Sequence, residues 1–104
     1  MSRIAALEKI LASSEGAPDP DVLYMLAQEH AKAGAWDESV RWYHRCSEVS
    51  PAYCYAYYHK ALAQDGAGRR AQGIETLRAG LAVAKKAGDG KAANEIALLL
   101  DEWT

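Results

Sequence analysis

LYMLAQEHAKAGAWDESVRWYHRCSEVSP (23–51) and YYHKALAQDGAGRRAQGIETLRAGLAVAK (57–85) are two copies of one pattern, 34 residues apart. In that register Leu23 meets Tyr57, Tyr24 meets Tyr58, Ala27 meets Ala61 and Gly34 meets Gly68. Val40 then falls on Ile74, Tyr43 on Leu77 and Val49 on Val83. A period of this length marks a stacked helical hairpin, because one hairpin cannot bury its apolar face alone.

Working outward, residues 3–12 predict a short amphipathic helix with Ile4, Leu7 and Leu11 on one stripe and Ser2 as N-cap. SSEGAPDP (13–20) reads as a linker that ends in a helix start, with Asp19 as cap and Pro20 where its missing N–H costs nothing. The next helix runs to about Ala33 and stops at Gly34. A second runs from about Trp36 to Val49, burying Val40, Tyr43 and Cys46. Ser50–Pro51 reads as another cap-then-proline start, for a helix to about Asp65. After the turn at Gly66–Gly68 a fourth helix extends to about Ala87. Gly88 stops it, and Asp89 caps a last one whose apolar side carries Ala92, Ile96, Leu99, Leu100 and Trp103. YCYAYY (53–58) taken alone has strand-like composition, but the register assigns it to a helix.

The 104 residues make one domain, with repeat 1 at about 20–51, repeat 2 at about 54–87 and capping helices at about 3–12 and 90–103. The formal charge is −2, with 5 basic and 8 acidic side chains in residues 1–52 and 7 and 6 in residues 53–104. That is no basic footprint, so neither nucleic acid nor an acidic membrane surface is the expected partner. No apolar run reaches the roughly 20 residues of a membrane helix, and Glu8 and Lys9 interrupt the apolar N-terminus that a signal peptide would need. The cytoplasm is the expected location. The two cysteines, Cys46 and Cys54, fit that expectation, although one disulfide between them stays open.

These repeats resemble the tetratricopeptide repeat. In the first copy the family's positions carry Leu23, Leu26, Ala27, His30, Gly34, Trp36, Ser39, Tyr43, Cys46 and Pro51. In the second they carry Tyr57, Lys60, Ala61, Gln64, Gly68, Gly73, Leu77, Gly80 and Val83, where Lys60, Gln64 and Lys85 depart from the usual Leu, aromatic and Pro. The whole chain is also similar to small bacterial two-repeat proteins with a LAQEH-like first helix (Leu26–His30) and a last helix opening on Gly88, Asp89, Lys91 and Glu95. The resemblance implies an all-α, right-handed α-α superhelix of two repeats between capping helices. Gly73 and Gly80, seven apart at the family's small-residue positions, each cost about 1 kcal/mol against Ala in a helix. A partner helix approaching too closely for a methyl group would offset that cost.

Catalytic and metal chemistry finds little support. His30, His44, His59, Cys46 and Cys54 show no zinc-type spacing, and no G-x-S-x-G motif or phosphate loop is present. No metal, cofactor or enzymatic activity is expected; Cys46 reads as a packing thiol, and His30 as hydrogen-bonded within the stack. The resemblance instead implies a binding groove lined by the first helix of each repeat. Carried over by position, its face is Asp21, Tyr24, Gln28, Ala31 and Lys32, then Tyr55, Tyr58, His59, Leu62 and Asp65. Tyrosine combines large contact area with few rotors and a polar tip. Tyr24 and Tyr58 serve either this groove or packing against neighbouring helices.

Some relatives hold a terminal carboxylate with a cationic clamp; here the matching positions are Tyr24, Gln28, His59 and Ala93. The expected ligand is therefore a protein or peptide segment held by apolar and hydrogen-bond contacts, with weak salt dependence. The alternative is a structural role, a homodimer or larger assembly through the terminal helix bearing Leu99, Leu100 and Trp103. Trp42, on the outer side of its helix, is either covered by the N-terminal helix or marks a second contact patch.

Overall fold

In the computed structural model, which describes residues 2–104, the chain forms α1 (Arg3–Ala12), α2 (Pro20–Lys32), α3 (Trp36–Val49), α4 (Cys54–Gly66), α5 (Arg70–Ala87) and α6 (Gly90–Trp103), with no strand among the described residues. Three starts are capped as their sequences dictate. Ser2 Oγ accepts from Ala5 N at 3.1 Å, Asp19 Oδ1 from Asp21 N at 2.9 Å and Asp89 Oδ1 from Ala92 N at 3.0 Å. Gly34 and Gly68 take left-handed backbone at φ +74° and +80°. The residue after each donates to a carbonyl five back, Ala35 N to His30 O at 2.9 Å and Arg69 N to Gln64 O at 2.8 Å. The turn inside each repeat is thus reproduced bond for bond in the backbone.

The start of α4 differs from expectation. Ser50 and Pro51 do not open the helix; Tyr53 N donates to Ser50 O at 3.0 Å, and that turn delays helix entry to Cys54. The turn is fixed from across the stack, because Tyr53 Oη donates to Asp21 Oδ1 at 2.8 Å.

The core divides into neighbouring clusters, as expected for a stack in which each hairpin touches only the next. Leu7, Val22 and Leu26 pack under α1; Leu23, Cys46 and Ala56 join α2, α3 and α4. Cys54, Ala61, Leu77, Ala84, Ala92 and Ile96 join α4, α5 and α6. Within the first hairpin the buried Ser39 Oγ donates to Ala27 O at 2.8 Å. Gly73 stands in Ser39's place in the second hairpin, where a Cβ would come within 3.0 Å of both Ala61 O and the Trp103 ring. A Cβ on Gly80 would lie 2.6 Å from Tyr57 Cβ and 3.4 Å from Ile96 Cδ1. Both glycines therefore mark close approaches, and a methyl group fits at neither without movement.

The departures in repeat 2 have local explanations. Gln64, in place of an aromatic, is buried and accepts from Thr76 Oγ1 at 2.6 Å. Lys60 buries its stem and brings Nζ within 3.1 Å of His44 Nδ1, and burial lowers its pKa. His30 does not behave as expected: its half-buried ring makes no hydrogen bond among the described residues, and only its carbonyl serves the turn. Trp42 packs with the Leu7 cluster beneath α1, and the Arg45 guanidinium lies 5.5 Å from its ring. Cys46 and Cys54 are free thiols in separate clusters, bonded to Pro20 O and Ala52 O, each at 3.3 Å.

Candidate functional site

Rings from α2, the α3–α4 turn and α4 meet in a continuous row. Tyr53 stands 5.2 Å from Tyr24, Tyr24 5.5 Å from His59, His59 5.2 Å from Tyr58, and Tyr58 6.4 Å from Tyr55, centroid to centroid. These separations and the tilted or edge-on geometries suit attraction between aromatic quadrupoles. Beneath the row lies Tyr43 of α3, only 2% exposed, at 5.5 Å from Tyr24 and 6.0 Å from His59. Tyr43 is the floor, and the five rings above it are half-buried, each keeping part of its surface in solvent.

Each end of the row meets a carboxylate. Asp21 accepts from Tyr53 Oη at one end. At the other, the carboxylate of Glu95 on α6 is the main cause of a raised Tyr55 pKa, ahead of desolvation. Burial raises Tyr24 to about 12, with smaller contributions from Cys46 and Tyr55. It also pushes Tyr43 and Tyr53 above the usual tyrosine range, Tyr53 with help from the Asp21 hydrogen bond. Burial raises Cys46 to about 11, so this thiol is a weak nucleophile.

Of the residues expected at the groove, Tyr24, Tyr55, Tyr58 and His59 come together in the row. Gln28 is half-buried on α2, and Leu62 is exposed on α4 beyond the rings. Lys32 is turned elsewhere: its Nζ lies 2.9 Å from Glu29 Oε2, which also faces Arg3 of α1 at 3.5 Å. Tyr43, Tyr53 and Glu95 enter the site without having been expected there. Glu95 escaped because the second spacing is longer. Helices α2 and α4 start at residues 20 and 54, 34 apart, but α6 starts at 90, which is 36 after 54. A 34-residue shift from His59 reaches Ala93, whereas a 36-residue shift reaches Glu95.

The deeper hollows lie elsewhere. A cleft of about 450 Å³ runs between the turns, lined by Trp36, Asp37, Gly66 and Arg69 among others. One of about 320 Å³ is lined by Pro51, Ala52, Val83, Lys86 and Ala87. The row of rings is an open surface, a geometry suited to a chain segment laid across it. No three His, Cys, Asp or Glu side chains among the described residues converge in a metal-like group.

His59 gives the row a pH dependence. Desolvation lowers its pKa and Glu95 opposes this more weakly, while Tyr24, Tyr43 and Tyr58 surround the ring. Because the folded value is depressed, the stability it contributes is complete above the unfolded value of about 6.5 and is lost as pH falls toward the folded value. The melting temperature is expected to drop as pH falls below about 6.5, and His59→Gln to remove that part of the slope. An unchanged slope in the variant would assign the effect to other groups.

No protein-family model matches the chain, and no curated protein does. Among solved structures, a tetratricopeptide repeat domain protein of Salinibacter ruber superposes with a TM-score of 0.77 at 28% identity, covering 86% of this chain and 90% of that one. A protein of Bordetella parapertussis superposes with a TM-score of 0.83 at 22% identity, over 99% of this chain and 88% of that one. The MamA protein gives 0.75 at 23% identity; 84% of this chain is covered, but only 46% of MamA.

Proposed function

We propose that this small protein of tetratricopeptide-repeat fold is a protein-interaction module that takes a segment of a partner protein along the ring row of α2, the α3–α4 turn and α4. The observation that carries the reading is the half-exposed file of Tyr53, Tyr24, His59, Tyr58 and Tyr55. Rings needed only for packing would be covered, as Tyr43 is. Rings held partly open by a rigid floor offer contact area at little entropic cost, the property that makes tyrosine frequent at binding hot spots. Gln28 and Leu62 flank the row and would extend the contact along α2 and α4.

The protein acts as an adaptor, with no catalytic step, no cofactor and no nucleic-acid or lipid ligand. The cytoplasm is its proposed location; no helix among the described residues is long and apolar enough to cross a membrane.

A second reading rests on α6. Leu98 is 71% exposed there, between Asn94 and Asp101. Leu99, Leu100 and Trp103, the residues first expected to mediate self-association, pack against α5 and the core instead. A homodimer through this end would centre on Leu98, with the partly exposed Leu99, Leu100 and Trp103 beside it. Light scattering on the size-exclusion peak separates the two readings, since a Leu98-dependent dimer favours the second.

The direct test is affinity capture from the source cell with wild type and the Tyr55→Ala/Tyr58→Ala double variant. Capture is expected to be lost while helicity by circular dichroism stays near wild type. A folded double variant that captures the same partners would refute the groove; an unfolded one would make these rings core.

A further inference from the structure

We infer that the ring row recognises a positively charged side chain, an arginine or lysine of the bound segment, held over the aromatic faces and drawn to Asp21 and Glu95. This rests on the reading of the row as a protein-binding surface and adds the chemistry of its ligand. The faces of tyrosine rings carry negative potential and attract cations, the more so where water is partly excluded. Both ends of the file reinforce that sign, Asp21 through its bond to Tyr53 Oη at 2.8 Å, and Glu95 from α6, whose Ala92 and Ile96 belong to the cluster against which Tyr55 and Tyr58 pack.

The nearby cations do not cancel this charge. Lys32 is paired with Glu29 at 2.9 Å. Lys60 approaches His44 at 3.1 Å, with Glu48 as its charged neighbour, on the α3 side of α4. Lys91, one turn before Glu95 on α6, is exposed and makes no ion pair among the described residues. An Arg guanidinium suits the site especially, because it stacks flat on a ring while its edge donates to a carboxylate. The same pairing is built inside this protein, where Arg70 lies 4.9 Å over the Trp103 ring and donates to Asp65 at 2.8 Å. Carboxylates at the rim also revise the weak salt dependence expected from sequence, since a charge-assisted contact at an exposed site is screened.

The test selects displayed random dodecapeptides on the purified full chain, then resynthesises an enriched peptide. Enrichment of Arg or Lys beside apolar residues is expected. Replacing that Arg by citrulline, which keeps the shape and removes the charge, should weaken binding at least about tenfold, the scale of one charge-assisted contact. Asp21→Asn keeps an acceptor for the Tyr53 hydroxyl and Glu95→Gln keeps the size of its side chain, and each should weaken it about threefold to tenfold. Asp37→Asn, whose carboxylate pairs with Arg69 at 2.7 Å in the other cleft, should leave affinity unchanged. Peptides that need Tyr55 and Tyr58 but tolerate citrulline would overturn the cation while leaving the groove intact. Peptides indifferent to the Tyr55→Ala/Tyr58→Ala variant would overturn the groove itself, and failure to enrich any peptide would count against both.

Discussion

Gly80→Leu is expected to unfold the second hairpin or lower its melting temperature sharply, and Gly80→Ala to destabilise despite the better helix propensity of alanine. Propensity alone predicts a gain of about 1 kcal/mol for the alanine. Against it stands a Cβ built 2.6 Å from Tyr57 Cβ, an atom fixed to the α4 backbone that no rotamer change can move. Overpacking of this kind costs about 1–3 kcal/mol, and a contact this short with an immovable atom belongs in the upper half of that range, about 2–3 kcal/mol; less the propensity gain, the net loss for Gly80→Ala is about 1–2 kcal/mol, or roughly 5–10 °C in a domain of this size. Leucine adds three carbons where Ile96 Cδ1 already lies 3.4 Å from the built Cβ, and the cost rises accordingly. Gly90→Ala is the control: its Cβ meets nothing within 4 Å, and the substitution should be neutral or stabilising. A higher melting temperature for Gly80→Ala would show that α4 and α5 have room to spare and that the close crossing is misplaced.

Tyr43→Ala should cost about 3–5 kcal/mol, the range for removing a large ring from a well-packed interior. The ring is 2% exposed and supports both Tyr24 and His59, so its loss leaves a void under the row and lets the rings above collapse into it. Tyr43→Phe should cost less than about 1 kcal/mol, because the hydroxyl makes no hydrogen bond among the described residues while the ring contacts remain. Chemical denaturation of the three proteins checks both numbers. A Tyr43→Ala protein within about 1 kcal/mol of wild type would mean that this ring is not the floor of the row.

Much of the fold was legible because its punctuation is local. Gly34, Gly68 and Gly88 stop helices through backbone geometry that few other residues adopt, and Asp19 and Asp89 start them with a side-chain bond. The start of α4 was misread because Pro51 is equally at home in a helix first turn and in a reverse turn. The choice was made by Tyr53 reaching Asp21, a partner 32 residues away that no local rule contains. The longer second spacing was hidden for a related reason. Helix α5 runs 18 residues against 14 for α3, since Ala82–Ala87 offers good helix formers and no stop before Gly88. Those extra residues, less a shorter turn, move Glu95 to the row in place of Ala93.

At the site, the positions carried over from the repeat family put Tyr24, Tyr55, Tyr58 and His59 on equivalent faces of α2 and α4, where their rings meet. It could not show that Tyr43 underlies them, because that depends on how α3 crosses beneath two first helices. Nor could it show that Lys32 turns away, which Glu29 and Arg3 decide together. The rings pack on one another and Tyr24 and His59 pack on Tyr43, and all five keep part of their surface exposed.

The most direct measurement of that open side is a backbone amide shift map of the isotope-labelled chain titrated with a captured partner segment. The largest changes should cluster at Tyr24, Tyr53, Tyr55, Tyr58, His59 and Glu95, with α1 and the outer face of α3 little affected. Changes centred on Trp42 and Arg45, or on Leu98 of α6, with the ring row unmoved, would contradict the account.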